Sequence, residues 1–452
     1  MARRFGRRAR RLRVRAARCA AAGVAALLAA TTLAGAPLQA PAAAAPDREP
    51  SAPARHSVSV PSAGPFDPAK LRATLDATHD AGMHGLFSSV RDGRTRWDGA
   101  SGVADVRVER PVTPNMRHRV GSITKTFMAT AILQQVEKGR IDLDAPVNDY
   151  LPGLVPAMAG EQVTVRMLLN HTSGIGDYMA WAFPSLRELS PRSLEDHRFR
   201  SVPPEQLVKW GLAAPRTGIP GERWSYSNTN YIIAGLLLEK VTRTKAETYI
   251  SRNVIAKAGL RNTYFPSSPW VFGPHSRMYE SLYQQVDPPR DYSTFDMSWA
   301  WTAGALVSTN RDLNRFYRRL LTGHLIGEEA LVQMKHAVAV KDAEGNFLMN
   351  YGLGLYALSL PCGTFWGHDG VVFGAGAQSL SSEDGSRQMS IALNLTKYQQ
   401  LDAQGIPAPH PIDNAPAAYA VEALCGGQIA TQSAVSDRPV RLLPLQSVRP
   451  VP

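Results

Sequence analysis

"HRVGSITKTFMATAILQQVEKG", residues 118–139, places a serine and a lysine three positions apart where an apolar helical pattern begins. Phe127, Ile132, Leu133 and Val136 recur at helical spacing and predict a helix with these residues inward. Ser122 and Lys125 then share one face, adjacent turns apart. A serine in the first turn has the positive end of the helix aimed at any charge growing on its oxygen. A lysine stripped of water loses basicity and can take the serine proton as a neutral amine. A surface Ser and a surface Lys are the plain alternative, yet no other lysine in the chain has a serine three positions before it.

Two further stretches carry chemistry. Tyr226-Ser227-Asn228, within "PGERWSYSNTNY", sets a phenol and a carboxamide two apart at a loop–helix junction. One can move a proton while the other holds a substrate amide. The same residues also read as an ordinary cap, by Ser227 or Asn228, on the helix predicted over "SNTNYIIAGLLLEKVT". His368-Asp369-Gly370 lies in the strand pattern "TFWGHDGVVFG", where glycine beside a polar residue allows close backbone approach by a ligand. Lys257-Ala258-Gly259 has a similar spacing but closes a helical stretch with glycine, and reads as a C-cap.

Together and in this order, the three motifs resemble those of the active-site-serine penicillin-recognising superfamily: serine β-lactamases, penicillin-binding proteins and D-alanyl-D-alanine carboxypeptidases. "VTVRMLLNHTSGIGDY", "PGERWSYSNTNYIIAGLLLEKVT" and "YGLGL…CGTFWGHDG" look like the secreted carboxypeptidase branch, and the likeness covers about residues 66–428. The resemblance implies a β-lactamase/DD-peptidase-like α/β fold: an antiparallel sheet flanked by helices, an inserted all-α subdomain, and the active site in the cleft between them. It makes Ser122 the acylated nucleophile, Lys125 its proton partner and Tyr226 a proton relay as phenolate or phenol. Asn228 would hold the substrate amide, His368 and Gly370 belong to the third motif, and Trp299 in "MSWAWTAGAL" would line the cleft. Backbone N–H groups of Ser122 and Val371 would form the oxyanion hole. The implied ligands are a peptide or peptidoglycan-type substrate and β-lactams as covalent ligands, with no cofactor and a monomeric protein. A non-catalytic penicillin-binding sensor would be expected to lack Ser122, Lys125 or Tyr226, and all three are present.

One departure bears on the substrate. In the carboxypeptidase branch the third motif is usually His-Thr-Gly-Thr with a basic residue on the neighbouring strand, and these bind the terminal carboxylate. Here Asp369 and Val371 replace the threonines, and Tyr356, Ala357 and Leu358 stand where the basic residue is expected. Asp369 and Val371 alternate onto one strand face. A carboxylate opposing a carboxylate weakens binding and valine offers no donor. The reading is a secreted serine hydrolase, D-alanyl-D-alanine carboxypeptidase-like, acting on D-amino-acid-containing peptides. The alternative is a D-aminopeptidase, D-amino-acid amidase or esterase of the same fold.

Other classes find no support. There is no Gly-x-Ser-x-Gly elbow, no His-Glu-x-x-His or other metal-ligand spacing, and no phosphate-binding loop. The chain has 50 Lys+Arg against 38 Asp+Glu, but nine arginines precede residue 46. That leaves 41 basic residues against 38 acidic, so no nucleic-acid partner is expected. Residues 1–45 run from this basic stretch through "AAAGVAALLAATTLAGA" to small residues, the layout of a signal peptide. No later apolar run is long enough to predict a membrane anchor.

Residues 46–65 are a Pro/Ala/Ser-rich linker, 66–428 the hydrolase domain and 429–452 a disordered tail. Within the domain, 66–121 and 262–428 form the α/β part and 122–261 the helical part. A hairpin is expected at Asp92-Gly93, strands around a turn at Asp384-Gly385, and a closing helix over "APAAYAVEALCGG". Outside the leader the cysteines are an even pair, Cys362 and Cys425, expected to be bridged in an exported chain. Closing that loop is worth roughly 4 kcal/mol in the chain-entropy view.

Overall fold

A computed structural model describes residues 64–156, 162–342, 345–403 and 405–426. The expected leader, nearly all of the linker and the expected tail lie outside these residues.

Helix α1 (Pro68–Asp80) starts where Asp67 accepts the Ala69 N–H at 2.8 Å, with proline in the first turn. Strands β1 (Gly85–Asp92) and β2 (Thr95–Asp105) follow as a hairpin, pairing Asp92 with Thr95, so Gly93 and Arg94 make the turn. Gly93 takes a left-handed φ of 55° there. The short β3 (Arg110–Pro111) adds to β2.

Helix α2 (Thr124–Val136) is preceded by a single 3₁₀ turn over Gly121–Ile123. All of its residues except Val136 are buried, so it is a core rod rather than an amphipathic helix. Helix α3 (Asn228–Thr242) packs against it in the same apolar core. Ser227 holds the cap position of α3, but its hydroxyl donates to Gly176 O at 2.9 Å instead of capping. Lys257-Ala258-Gly259 ends a short helix, with Gly259 left-handed at φ 69°.

Helix α4 (Asn310–Leu321) opens with Thr309 accepting from Asp312 N–H. The remaining strands of the main sheet are β4 (Val338–Lys341), β5 (Phe347–Tyr351), β6 (Tyr356–Leu360), β7 (Gly363–Val372), β8 (Ala375–Ser382) and β9 (Arg387–Leu393). Helix α5 (Pro411–Cys425) closes the described chain and begins earlier than "APAAYAV" suggests.

These nine strands form the main antiparallel sheet, in the order β3-β2-β1-β9-β8-β7-β6-β5-β4, beside a three-stranded and a two-stranded sheet of short strands. The first hairpin therefore pairs with the last strand, and the helical stretch is inserted between two parts of one sheet. Alternation decides the faces. Leu86 and Val90 join Leu71, Leu75, Tyr419 and Leu424 of α1 and α5 in one core. Ala375 and Ala377 belong to the larger core with α2, α3 and α4. Asn310 and Asn314 fasten α4 to the sheet, donating to Phe87 O and Ser89 O. Cys362 and Cys425 are disulfide-bonded, tying the approach to β7 to the end of α5.

Candidate active site

Gly121 gives the chain a left-handed step (φ 52°) just before Ser122. The step brings Val120–Ser122 directly against β7: a Cβ on Gly370 would sit 2.0 Å from Val120 O and 2.7 Å from Ser122 N. Only glycine fits at that crossing. The contact is possible because β6 pairs with β7 no further than Gly367, leaving His368–Val372 without a strand on that side among the described residues. Ser122 at the helix mouth and the backbone of Gly370 and Val371 are thus brought together.

Lys125, one turn into α2, is completely buried. Its Nζ donates to Ser122 Oγ at 3.0 Å, Asn228 Oδ1 at 2.8 Å and Ala303 O at 2.8 Å, which uses all three ammonium hydrogens. It also lies 4.8 Å from the centre of the Tyr226 ring. Burial pulls its pKa from 10.5 down to about 7, against the opposing charges of Asp177 and Asp369. Desolvation wins over attraction, and a useful fraction of neutral amine exists near neutral pH.

Asn228 is oriented by a buried carboxylate. Its backbone N–H and its Nδ2 both donate to Asp177 Oδ2 at 2.8 Å, while Asp177 Oδ1 accepts from Met179 N. Burial raises the Asp177 pKa, yet every neighbour offers a hydrogen, which suits the ionised acceptor. Asn228 Oδ1 is then fixed toward Lys125.

Tyr226 is held by His171. His171 O accepts from Ser225 N at 2.8 Å and its Nδ1 from Ser227 N at 3.3 Å, so one residue grips both chain neighbours of Tyr226. The two rings stand 4.3 Å apart. His171 does this from a left-handed backbone (φ 61°), a cost tolerated where surroundings over-determine it. Burial keeps the His171 pKa far below its usual value and the ring neutral. Burial also pushes the Tyr226 phenol well above its ordinary pKa, opposed by the adjacent Ser122 hydroxyl. Tyr226 forms no ideal hydrogen bond, although it stands near enough to Ser122 to feel it.

The third motif is wired differently from the first two. His368 Nε2 meets Tyr351 OH at 2.9 Å and Nδ1 meets Asp369 O at 2.5 Å, with burial lowering its pKa to about 3. It is a neutral ring lodged near the tyrosines at 351 and 356. Asp369 is buried opposite Gln378, whose Nε2 donates to Tyr356 OH. Trp299 is packed rather than displayed: only 6% exposed, it meets Phe183, Phe295 and Phe373, and its carbonyl accepts from Tyr178 OH.

Asp177, His171 and the Ala303 carbonyl were not identifiable as site residues from spacing. The first two lie in "NHTSGIGDY", where only the resemblance drew notice, and a backbone carbonyl leaves no mark in a sequence. Among the described residues no group of His, Cys, Asp and Glu could hold a metal, and no helix is long and apolar enough to cross a membrane.

Comparison with known proteins agrees with this geometry. The β-lactamase family profile matches residues 71–400. A D-stereospecific amidohydrolase from Streptomyces sp. is 37% identical, with a TM-score of 0.67 over 74% of this chain and 95% of that one. The D-amino acid amidase of Ochrobactrum anthropi SV3, in a complex with L-phenylalanine amide, is 25% identical with a TM-score of 0.63, over 72% and 91% of the chains. Esterase EstB of Burkholderia gladioli is 30% identical over 46% of this chain, and a penicillin-binding protein of Bacillus subtilis (strain 168) 29% over 43%. The chain spans 55% and 40% of the length of those two curated relatives.

Proposed function

From the premise that this chain belongs to the β-lactamase family, we propose that it is an active-site-serine hydrolase that cleaves amides of D-amino-acid residues through an acyl-enzyme. The observation that carries the reading is the fully buried Lys125 amine, 3.0 Å from Ser122 Oγ with its pKa drawn to about 7. Neutral Lys125 takes the Ser122 proton as Oγ attacks the substrate carbonyl. The resulting oxyanion lies against the N–H groups of Ser122 and Val371. The proton passes to the leaving amine, the C–N bond breaks, and the acyl group stays on Ser122. Water then attacks the ester, so that amide and water become acid and amine with Ser122 restored. Tyr226, held as a neutral phenol by burial, serves as a donor to the leaving nitrogen and not as the primary base.

Asp369 supports the choice of leaving group. A buried carboxylate where relatives bind a terminal carboxylate disfavours a free-acid peptide, so an uncharged amide is the better substrate. Similarity to the D-stereospecific amidohydrolase over nearly all of its length points the same way. The proposal includes export by the leader and covalent labelling by β-lactams.

The test compares a diacyl-peptide ending in D-Ala-D-Ala with the same peptide as its C-terminal amide, using fluorescent penicillin as a label for Ser122. We expect the amide to be cleaved about tenfold or more faster, and Ser122→Ala to lose both label and roughly 10³-fold or more of turnover. Asp369→Thr should move the preference toward the free acid. Preference of the native protein for the free acid, or labelling that survives Ser122→Ala, would overturn the reading.

A further inference from the structure

The outer side of α4 carries an excess of positive charge. Arg315, Arg318 and Arg319 lie at helical spacing on it, and Arg91 of β1 is close enough to act on Arg318 electrostatically. The Arg318 pKa is lowered, first by burial and then by Arg91, Arg315 and Arg319. None of the four forms an ion pair among the described residues, whereas Arg311, one turn earlier, pairs with Asp98 at 2.9 Å. Arg315 makes one long bond, to Gly259 O at 3.4 Å. The Arg319 Nε is buried with no hydrogen-bond partner. A buried, unsatisfied charged donor costs more than an ordinary lost hydrogen bond.

Two of these side chains, Arg318 and Arg319, border a cavity of about 300 Å³ that Thr322, His324 and Asp384 complete. The turn between β8 and β9 roofs it, Gly385 packing so tightly on α4 that a Cβ there would fall 2.8 Å from Arg318 Cγ. The one carboxylate in the lining, Asp384, accepts through Oδ1 from Ser382 Oγ, Ser386 N and Ser386 Oγ of its own turn, and its single negative charge offsets one of the four arginines. The carbonyl end of α4 adds about half a unit of negative charge, so most of the positive charge of the four arginines stays uncompensated. Thr322 Oγ1 and His324 Nδ1 meet at 2.9 Å on the rim and add polar contacts.

We propose that this cavity is an anion site for a phosphate-type oxyanion, held by the guanidiniums of Arg318 and Arg319 and attracted by Arg91 and Arg315. Planar guanidiniums match a tetrahedral oxyanion with paired N–H bonds, and clustered charge in a recess strengthens the local field. The site lies on the side of α4 away from Tyr317, whose hydroxyl meets Thr126 Oγ1 of α2 at 2.9 Å, so it is separate from the hydrolytic chemistry. The phosphate can be free or borne on a polymer.

The experiment titrates the full chain with inorganic phosphate, and separately with polyphosphate, by calorimetry at fixed ionic strength with chloride as the balancing anion. Saturable binding, weakened about tenfold or more by Arg318→Ala/Arg319→Ala and also by Arg91→Ala alone, supports the site. Arg91 lies on a different element, and unchanged circular dichroism and amide hydrolysis in each variant exclude misfolding as the cause. Comparable affinity per phosphate group for both ligands identifies a free-phosphate site; a large gain for polyphosphate identifies a polymer ligand. Absence of saturable binding to both, or binding indifferent to these substitutions, overturns the proposal.

Discussion

Helices α2 and α4 pack in the same core, and each carries lysine or arginine, but to opposite ends. On α2 the cation faces inward: Lys125 is fully buried, bonded to neutral oxygens, with the Asp177 and Asp369 carboxylates further off. On α4, Leu313, Phe316, Tyr317 and Leu320 take the inward face while Arg311 and Arg315 stay exposed. Water decides the difference. Removing it from Lys125 costs on the order of 5 kcal/mol in proton affinity, judged from a pKa of about 7 against 10.5. The result is a base. A guanidinium offers charge and a planar fork of donors rather than a base, so the use of the arginines outside is attraction.

The largest break in this contrast is Lys125→Arg. A guanidinium stays charged and cannot take the Ser122 proton, so kcat/KM should fall roughly 10³-fold in steady-state hydrolysis. The native profile should rise with pH through an acid limb near 7, as Lys125 loses its proton. That limb should vanish in the variant. The sign for stability follows from the same group. Between about 7 and 10.5 the unfolded chain holds a proton that folded Lys125 has shed, so this group favours folding more as pH rises through that window.

A smaller effect is expected from Asp177→Asn. The new amide cannot accept both Asn228 donors and Met179 N–H as the carboxylate does, so about a tenfold loss in kcat/KM is expected. Removing a charge that raises the Lys125 pKa should also move the acid limb to lower pH. A loss of rate with the limb in place would mean that Asp177 only holds the loop. Smallest of all is Arg315→Ala on α4: unchanged hydrolysis, and stability within about 0.5 kcal/mol in thermal or denaturant unfolding. A large loss there would show that the outer arginines are structural.

Much of the fold follows from local pattern. Alternation and Gly-containing turns mark β1, β2, β7, β8 and β9, and an unbroken apolar run marks α3. Less legible is α5, which begins at Pro411 and carries Pro416 inside, a residue that normally signals a break. The same limit applies at Ser227, placed as a cap yet bonded elsewhere because Gly176 O lies within reach across the chain.

By itself the sequence determined which chemical groups are available: one serine three residues before a lysine, a phenol two residues before a carboxamide, and a strand with glycine where backbones cross. Those are consequences of covalent order and helical or strand period. Only the tertiary structure decided their states. Burial set the Lys125 pKa, Asp177 set the direction of Asn228, His171 gripped Tyr226 from both sides, and the early end of the β6–β7 pairing left Gly370 open to Ser122. Each depends on distance and dehydration between segments far apart in the chain, and neither quantity is local to any stretch of residues.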